Sequence, residues 1–525
     1  MHVFFAKITR FCSVRHSFVG RKILGGHGCI FVCRNLSQEF THDFEDDHPE
    51  TQEILRKLRQ KHHHYGITGH QKKIQDVMVI EPDYKWGRHR FQKATASHRL
   101  EEACGLVEAI SNWQVKFKSI ESVRKIDHKM FFGKGKIEEL TERINQAKAS
   151  DSLDVVYIDV GRLSAGQYKE LEKLWDVKVL DRFGIVLQIF KERAKTGEAK
   201  IQVELAEIPY LKSRLVGDET VKYDQQRGGT HYIGGSGETQ LEKERRVLSE
   251  REIKIKKKLE NLKKHRNHIR HERHKRHVPI VSVVGYTNAG KTTLIKAITG
   301  DAKMKPDNKL FATLDVTAHA GKLPSGLHAL FIDTVGFVSD LPPELVDSFS
   351  ATLEDVVNSD LIVHVQDISH PDHEAQREDV MSILKQQLKL KTPLLDNIVE
   401  VNNKVDLCSK DFLDEISMPN TIQSSALRGT GLDVLLSKIE QGILQSTGRM
   451  MRKVVIPPEG PQLSWLYHEA TVQATDADED GFITATVIMD EATNKKFEKK
   501  FGSILTPFIF KVSSKETRKK KKNKQ

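Results

Sequence analysis

The stretch VSVVGYTNAGKTT, residues 281–293, decides how this chain folds. Its first four residues have the composition of a buried strand, and residues 294–298 after it have a helical pattern. Between them, Gly285 and Gly290 are separated by four residues, and Lys291 and Thr292 follow directly. A strand, a glycine loop and a helix in this order predict a phosphate-binding loop.

Each residue type in this loop has a chemical reason. The glycines let backbone N–H groups wrap phosphate oxygens, and Lys291 supplies a positive charge to the β- and γ-phosphates. The Thr292 hydroxyl is a candidate Mg²⁺ ligand. Asn288 is similar in position to an Asn that ligates K⁺ in potassium-activated GTPases, a resemblance that makes it a candidate K⁺ ligand; the alternative is that it braces the loop.

Two switch elements follow the loop. Residues 331–333 form an apolar strand that runs into Asp333-Thr334-Val335-Gly336. Asp333 can hold Mg²⁺ through water, and the Gly336 N–H can meet the γ-phosphate. Upstream, residues 310–315 (LFATLD) place Thr313 to complete the Mg²⁺ shell when the γ-phosphate is present; a buried strand threonine is the alternative.

Base recognition is predicted farther along the chain. Apolar runs at residues 361–365 and 398–401 read as strands, and Asn403-Lys404-Val405-Asp406 follows the second. The Asp406 carboxylate can accept two hydrogens from the N1 and N2 edge of guanine, which adenine does not offer. The stem of Lys404 can lie along the base, and the Ser425-Ala426 backbone can donate to the guanine carbonyl. Four elements in this order predict a GTP-binding domain.

The predicted site can be stated residue by residue. Its GTP-binding residues are Gly285, Tyr286, Thr287, Asn288, Ala289, Gly290, Lys291, Thr292, Thr293, Phe311, Ala312, Thr313, Leu314, Asp315, Asp333, Thr334, Val335, Gly336, Asn403, Lys404, Asp406, Ser425 and Ala426. Its catalytic residues are Lys291, Thr313 and Gly336, and its Mg²⁺ residues are Thr292, Thr313 and Asp333. Phe337 follows Gly336 where small GTPases often have a water-orienting Gln, so we expect slow intrinsic hydrolysis.

Composition limits the class of protein. The 525 residues carry 83 Lys and Arg against 72 Asp and Glu, a formal charge of +11, which favours a polyanionic partner. No apolar run approaches the roughly 20 residues that cross a bilayer, so we expect no membrane span. Five scattered cysteines favour a reducing compartment.

The first residues have the composition of a targeting sequence. No Asp or Glu occurs before Glu39, and basic residues alternate with apolar ones. This pattern predicts a mitochondrial presequence over residues 1–45 and a mature protein in the matrix. A basic extension of a cytosolic protein is the alternative.

The predicted organisation is α/β and multidomain. After the presequence come a linker (46–74), a parallel α/β domain (75–195), an antiparallel coiled-coil arm with a glycine-rich tip (196–277), a GTPase domain with a mostly parallel sheet and helices on both faces (278–447), a small α+β domain (448–514) and a basic tail (515–525). In the first α/β domain, residues 77–80, 130–132, 155–158 and 177–180 read as strands, and residues 136–147 and 164–174 read as helices.

The arm prediction rests on periodicity and charge. Apolar residues recur at helical spacing from Ile201 to Leu215, and every seventh residue from Leu241 to Ile269 is Leu or Ile. From residue 238 to residue 277, 15 Lys and Arg stand against 7 Asp and Glu. This excess favours contact with RNA phosphates over an ordinary solvated face. Histidines at 62–64 and 265–277 lack neighbouring paired cysteines, so we favour a polar surface over a metal site.

The motifs resemble those of the HflX-type GTPases. The resemblance covers the phosphate loop and both switches. It also covers residues 133–140 (GKGKIEEL), 181–182, 202–206 (QVELA), 237–242 (GETQLE), 340–342, 351–354 and 370–372. It implies GTP or GDP and Mg²⁺ as cofactors. It also implies that the α/β domain and arm bind the large ribosomal subunit and its rRNA, and that the GTP form helps split or mature ribosomes. With the leader, the chain is similar to the family's mitochondrial member.

Two functions from different classes remain open. The first is a ribosome-stimulated GTPase whose cycle gates binding to the mitochondrial large subunit. The second is an RNA-binding assembly or quality-control factor in which GTP is only a checkpoint. We expect a monomer with neither membrane nor DNA as a partner. A third hypothesis, a second nucleotide site at residues 133–136, is weak because that turn lacks a Ser or Thr ligand.

Overall fold

The computed structural model describes residues 49–62, 74–85, 95–150, 152–215, 240–275, 278–307, 309–339, 345, 350–416, 421–457, 460–478, 481–502 and 505–506. The predicted presequence, the glycine-rich tip and the basic tail lie outside these residues. No helix among them is long and apolar enough to cross a membrane.

The first α/β region has a four-stranded, fully parallel sheet. Its strands are β1 (Gln75–Tyr84), β2 (Trp113–Val123), β3 (Val155–Ile158) and β4 (Lys178–Leu180), in the order β2-β1-β3-β4. Its helices are α2 (Ala96–Glu108), α3 (Lys134–Ser150), α4 (Ala165–Trp175) and α5 (Arg182–Arg193), after an initial α1 (Pro49–His62). Local signals begin these helices: Ser164 and Gln167 form a capping box on α4, and Asp181 caps α5.

One predicted strand is wrong, and one strand was missed. Residues 130–132 form a turn, because the Asp127 side chain accepts from the Lys129 and Met130 N–H groups and Phe131 adopts φ 65°. The Phe131 and Phe132 rings pack edge to face, 4.9 Å apart, in the core. Strand β2 alternates exposed and half-buried residues at the sheet edge, so it lacks the apolar run of a central strand.

Two helices follow. They are α6 (Gly197–Arg214) and α7 (Gln240–Lys275), and they pack side by side. Ion pairs join Glu198 to Arg266 at 2.6 Å and Lys212 to Glu252 at 2.7 Å, a pairing order that makes them antiparallel. Most residues of α6 are buried, so this helix is part of the core. That the two helices project as a coiled-coil arm stays a prediction, because their connection lies outside the described residues.

The sheet of the predicted GTPase domain is mostly parallel, as the sequence predicts, and it has six strands. Its strands are β5 (Ile280–Gly285), β6 (Thr317–Lys322), β7 (His328–Asp333), β8 (Leu361–Asp367), β9 (Val399–Asn403) and β10 (Thr421–Gln423), in the order β10-β9-β8-β5-β7-β6. Only β6 runs antiparallel to its neighbour.

Helices cover both faces of this sheet, which confirms the prediction. They are α8 (Lys291–Thr299), α9 (Ser350–Val357), α10 (His373–Ser382), continued by a π-helical turn (Ile383–Gln387), α11 (Thr392–Asp396), α12 (Lys410–Ile416) and α13 (Leu432–Thr447). Val281 and Val283 pack in the core that includes α8 and α13, whereas Val284 packs in the core that includes α10. The alternation along β5 therefore buries both faces of the strand.

A four-stranded antiparallel sheet follows α13. Its elements are β11 (Met450–Ile456), α14 (Gln462–Glu469), β12 (Thr471–Ala477), β13 (Ile483–Met489), α15 (Glu491–Phe501) and β14 (Leu505–Thr506), with strand order β12-β13-β11-β14. Phe497 is fully buried here beside Trp465. Residues 508–512 (FIFKV), whose apolar composition predicts a further strand, lie outside the described residues. The domain boundaries stay predictions.

The packing of α7 yields a stability prediction. Leu248 is fully buried, whereas Ile253 on the same helix is 68% exposed. Leu248→Ala should lower the free energy of unfolding by about 2–5 kcal/mol, because it removes buried methyl groups and leaves a cavity. Ile253→Ala should change it by less than about 0.5 kcal/mol. Urea unfolding followed by circular dichroism measures both, and equal effects would show that α7 does not pack as described.

Candidate nucleotide-binding site

A cavity of about 370 Å³ lies at the carboxyl ends of the strands in the six-stranded sheet. This is where open α/β sheets bind ligands. Its lining includes Thr287, Asn288, Gly290, Lys291, Thr292, Thr293, Phe311, Ala312, Thr313, Thr334, Gly336, Asn403, Lys404, Asp406, Ser425 and Ala426, all of them predicted site residues. Residues from five separate stretches of sequence therefore meet around one space.

The phosphate loop is held in shape by backbone and side-chain contacts. Gly290 has φ 90°, and a Cβ there would lie 2.3 Å from Asn403 Nδ2, so the position requires glycine. Asn403 Nδ2 donates to the Ala289 carbonyl at 2.9 Å. The loop thus approaches the base-recognition segment too closely for any side chain at residue 290.

Lys291 lies buried at the phosphate end. Its Nζ donates to the Tyr286 carbonyl at 2.8 Å and to the Gly285 carbonyl at 3.2 Å. Burial lowers the pKa of Lys291 to about 8, and the negative charge of Asp333 opposes this shift. The ammonium is therefore poorly solvated and is placed to gain an anionic partner.

Three oxygen-bearing residues converge beside Lys291. Thr292 Oγ1 donates to Asp333 Oδ2 at 2.7 Å, and Thr313 Oγ1 lies 3.1 Å from Thr292 Oγ1 and 3.3 Å from Asp333 Oδ2. Burial raises the pKa of Asp333, and its Oδ1 atom has no hydrogen-bond partner among the described residues. A buried carboxylate with an unused oxygen and two hydroxyls fits the oxygen ligands that Mg²⁺ prefers. The structure thus brings together the three residues predicted for Mg²⁺.

The predicted guanine end lies on the other side of the loop. Asn403 Oδ1 accepts from the Ala426 N–H at 3.0 Å, and Ser425 Oγ donates to Asp406 Oδ1 at 2.6 Å. Lys404 adopts φ 64°, and its Nζ pairs with Asp367 at 2.6 Å. These bonds orient the Asp406 carboxylate and hold the Lys404 stem along the cavity wall.

Some predicted binding residues lie behind the cavity wall. Gly285, Tyr286, Ala289, Leu314, Asp315, Asp333 and Val335 are not part of its lining. Gly285 and Ala289 contribute carbonyls to the contacts of Lys291 and Asn403, and Asp333 contacts both threonines. A nucleotide contact by these residues stays a prediction.

The first switch segment is anchored to α5 and to the start of α6. The Phe311 ring is buried against Phe190 of α5, edge to face, with centroids 4.9 Å apart. Asp315 accepts from the Lys195 N–H at 3.2 Å and from Thr196 Oγ1 at 2.5 Å. Thr196 is also the N-cap of α6, because its Oγ1 accepts from the Ala199 N–H. Asp315 therefore ties this segment to the start of α6.

Sequence reasoning missed part of the cavity wall. Pro306, Asp307 and Lys309 line it near the first switch, and Leu407 and Leu427 line it at the guanine end. Leu407 is 68% exposed and Leu427 is 81% exposed. Each directly follows a predicted guanine-contacting residue. An apolar residue at that position was the sequence signal that could have predicted these two parts of the wall. We expect both to contact the faces of a base.

Asn288 and Phe337 occupy different environments. Asn288 is exposed, has φ 60° and lines the phosphate end of the cavity. Its K⁺ role stays a prediction. Phe337 is 2% exposed and packs in the core that includes Val284 and Phe190. An aromatic ring in this position cannot orient an attacking water.

Four protein families match consecutive parts of the chain. They are described as GTP-binding GTPase N-terminal (residues 97–191), GTP-binding GTPase Middle Region (193–273), 50S ribosome-binding GTPase (280–403) and HflX C-terminal domain (414–508). Their order is the order of the elements described above.

Relatives match across most of the chain. Putative GTP-binding protein 6 of Xenopus laevis is 47% identical over 426 residues, which cover 81% of this chain and 79% of that protein. The Homo sapiens protein of the same name is 47% identical and covers 81% of each chain. GTPase HflX of Magnetococcus marinus is 38% identical over 73% of this chain and 87% of its own length. The chain belongs to the HflX family of GTPases.

Membership in the HflX family confirms the chemistry that the motifs predict. HflX proteins bind GTP and GDP, normally with Mg²⁺, and hydrolyse GTP. The cavity of this HflX protein has a lysine and an oxygen-ligand cluster at one end and an oriented carboxylate at the other. A guanine nucleotide requires this arrangement, with the cationic end at its phosphates and the carboxylate at its base.

The pKa of Lys291 leads to a prediction on nucleotide affinity. A phosphate ligand binds the charged ammonium, and a lysine with pKa near 8 loses its proton as pH rises through 8. The Kd for GDP should therefore increase roughly fourfold from pH 6.5 to pH 8.5. Fluorescent GDP titrations measure this. Lys404→Ala should bind more weakly but keep the same pH slope, and a pH-independent Kd for the unmodified protein would contradict the shift.

Proposed function

We propose that this HflX protein hydrolyses GTP and binds the large subunit of the mitochondrial ribosome and its rRNA. In this proposal the GTP form binds tightly and acts in splitting and recycling ribosomes, in maturation of the large subunit, or in both, and hydrolysis releases it. The observation that carries the proposal is the Asp315–Thr196 contact, which joins the first switch segment to the helix pair predicted to be the arm.

The site residues support the GTP cycle. Lys291 would compensate phosphate charge, and Asp406 would select guanine. Thr292, Thr313 and Asp333 would hold Mg²⁺, which neutralises charge that develops on the phosphates. Thr313 and Asp315 are two residues apart. The segment that would respond to the γ-phosphate through Thr313 therefore also makes the contact to α6 through Asp315.

Buried Phe337 supports stimulation by a partner. With no polar side chain at this position, the chain itself lacks the Gln that orients water in small GTPases. The family description of residues 280–403 names 50S ribosome binding. We therefore propose that an element of the ribosome aligns the water and stabilises the transition state, so that hydrolysis is slow until the protein is bound.

The charge and anchoring of α7 support an RNA partner. Residues 238–277 carry a surplus of eight positive charges, from 15 Lys and Arg against 7 Asp and Glu. Helix α7 is held against α6 by the buried pair of Arg251 with Glu204, whose two hydrogen bonds are both 2.9 Å long. Lys263 also pairs with Glu354 of α9 at 2.7 Å. A basic helix held in place in this way can present its charges to phosphates at little entropic cost.

Localisation in the mitochondrial matrix is proposed from the leader. Its support is the absence of acidic residues before Glu39 together with interspersed basic and apolar residues.

The ribosome role predicts nucleotide-dependent binding. With a non-hydrolysable GTP analogue, the protein should sediment with isolated mitochondrial large subunits, and with GDP it should remain at the top of the gradient. Added to intact ribosomes, the GTP-analogue form should separate the two subunits. Binding only to immature large subunits would favour maturation. Lys291→Ala is the control without nucleotide binding, and equal sedimentation with GDP and the analogue would contradict the proposal.

The contact between Asp315 and Thr196 predicts a variant in which the nucleotide state has less effect on subunit binding. Thr196→Val removes the hydroxyl that donates to Asp315 and caps α6, so nucleotide state should be transmitted less well. The difference in large-subunit affinity between the GTP-analogue and GDP forms should shrink roughly three- to tenfold. Fluorescence anisotropy with labelled protein measures both affinities. Thr447→Val, which removes a helix-end hydroxyl bond far from the switch, should leave the difference unchanged.

A further inference from the structure

A network of mostly buried ionisable groups lies at the carboxyl ends of the strands in the first parallel sheet. Arg182 at the start of α5 donates to both carboxylate oxygens of Asp159, at 2.8 and 2.9 Å, and also contacts the Glu102 carboxylate of α2. Asp159 directly follows β3, and Glu81 near the end of β1 pairs with Arg99 at 3.0 Å. Burial and the neighbouring Asp159 raise the pKa of Glu81 to about 10. Arg182, itself held by Asp159, therefore fixes the position of the Glu102 carboxylate.

The network continues into the phosphate loop. Glu102 Oε2 lies 2.7 Å from the hydroxyl of Tyr286, the second residue of that loop. The same hydroxyl accepts from the Ser339 N–H at 2.7 Å and lies 2.6 Å from Ser339 Oγ. Ser339 Oγ in turn donates to Asp379 of α10 at 2.9 Å. Tyr286 therefore links the first α/β region to the segment that follows Gly336.

The donor count makes Glu102 the acceptor for Tyr286. Ser339 Oγ has one proton, which it gives to Asp379, and the Tyr286 hydroxyl has one proton for Glu102. The Ser339 N–H then fills a lone pair of the Tyr286 oxygen. One of these two hydroxyl hydrogens is also shared across the 2.6 Å contact between the Tyr286 and Ser339 oxygens. The loss of either Glu102 or Tyr286 therefore breaks a connected set of bonds.

The contact between Tyr286 and Ser339 lies next to the backbone of Gly336, a predicted catalytic residue. Phe337 N donates to the Gly285 carbonyl at 3.1 Å, and Thr287 N donates to the Phe337 carbonyl at 2.7 Å. A Cβ on Gly336 would lie 2.8 Å from Thr287 Cγ2 and 3.0 Å from Lys291 Nζ. The backbone around Gly336 is thus hydrogen-bonded to the phosphate loop. The Tyr286–Ser339 contact holds this segment at its carboxyl-terminal end.

We propose that Tyr286 and Glu102 are positioning residues for GTP hydrolysis. Glu102, held by Arg182, orients Tyr286, and Tyr286 holds Ser339 so that the Gly336 N–H faces the γ-phosphate. A donor that is already placed costs no reorganisation during the reaction. A residue outside the nucleotide domain thereby helps to set the hydrolysis rate. The inference rests on GTP hydrolysis by the chain and is independent of its ribosomal role.

The test separates positioning from binding. Tyr286→Phe should lower kcat for GTP hydrolysis roughly three- to tenfold, and Glu102→Gln should lower it by a similar or smaller factor. The Kd for GDP should stay within about twofold, because neither side chain lines the cavity. The double variant should be no slower than Tyr286→Phe, since both act through one chain of bonds.

Two matched controls accompany these variants. Glu101→Gln changes the exposed neighbour of Glu102 on α2, and Tyr467→Phe removes the hydroxyl of a tyrosine that is 56% exposed. Both should keep kcat. Thermal melting identifies any variant that fails to fold. An unchanged or increased kcat in Tyr286→Phe, or additive losses in the double variant, would overturn the proposal.

Hydrogen–deuterium exchange gives a readout independent of turnover. With a GTP analogue bound, the amides of residues 336–339 should exchange faster in Tyr286→Phe than in the unmodified protein or in Tyr467→Phe. Unchanged exchange would overturn the positioning role even if kcat fell. Absence of ribosome binding by the unmodified protein would overturn the proposed function and leave this inference standing.

Discussion

The structure depends on one apolar core that the nucleotide domain shares with the first α/β region. Phe183 and Phe190 of α5 pack in the same cluster as Tyr286, Phe311 and Phe337. Both switch segments thus place an aromatic ring in this core, and the phosphate loop contributes a third ring. Because packed cores tolerate few arrangements, a change in either switch must be accommodated by its neighbours. The nucleotide domain is therefore not an independent module attached by a linker.

Polar contacts give this shared core its specificity. Tyr286 places its ring in the core, and its hydroxyl donates to Glu102. Asp315 accepts from the Lys195 N–H and from the hydroxyl of Thr196, the residue that caps α6. Apolar contacts have no preferred direction, whereas a carboxylate with defined donors fixes the position of both partners. The first contact starts in the phosphate loop and leads to α2, whereas the second starts in the first switch and leads to α6. The same nucleotide can thus influence the first sheet and the basic helix α7 through separate routes.

The sequence predicted the chemistry more fully than the packing. The phosphate loop, Thr313, Asp333 and Asp406 were all assigned from spacing; the loop, Thr313 and Asp406 line one cavity, and Asp333 contacts Thr313 behind its wall. Such motifs are local, because a few neighbouring residues contact one ligand group. They can therefore be recognised from short stretches of sequence. Strand β2 was missed because an edge strand alternates exposed and half-buried residues, and residues 130–132 were misread because Asp127 makes a turn that hydrophobicity does not reveal. Helix α6 was predicted as part of an arm, yet its buried residues also pack against α5.

By itself, the sequence determined the order of the nucleotide elements, the carboxylate predicted to select guanine and the sign of the charge on α7. Each depends on residue type and short spacing alone. Only the tertiary structure decided which residues of the switches contact the nucleotide cavity and which contact other elements. Asp315 lies two residues from Thr313 but is directed to Thr196, and Tyr286 lies within the phosphate loop but is directed to Glu102. The partners are separated by 119 and 184 residues in the chain, so only folding brings them together.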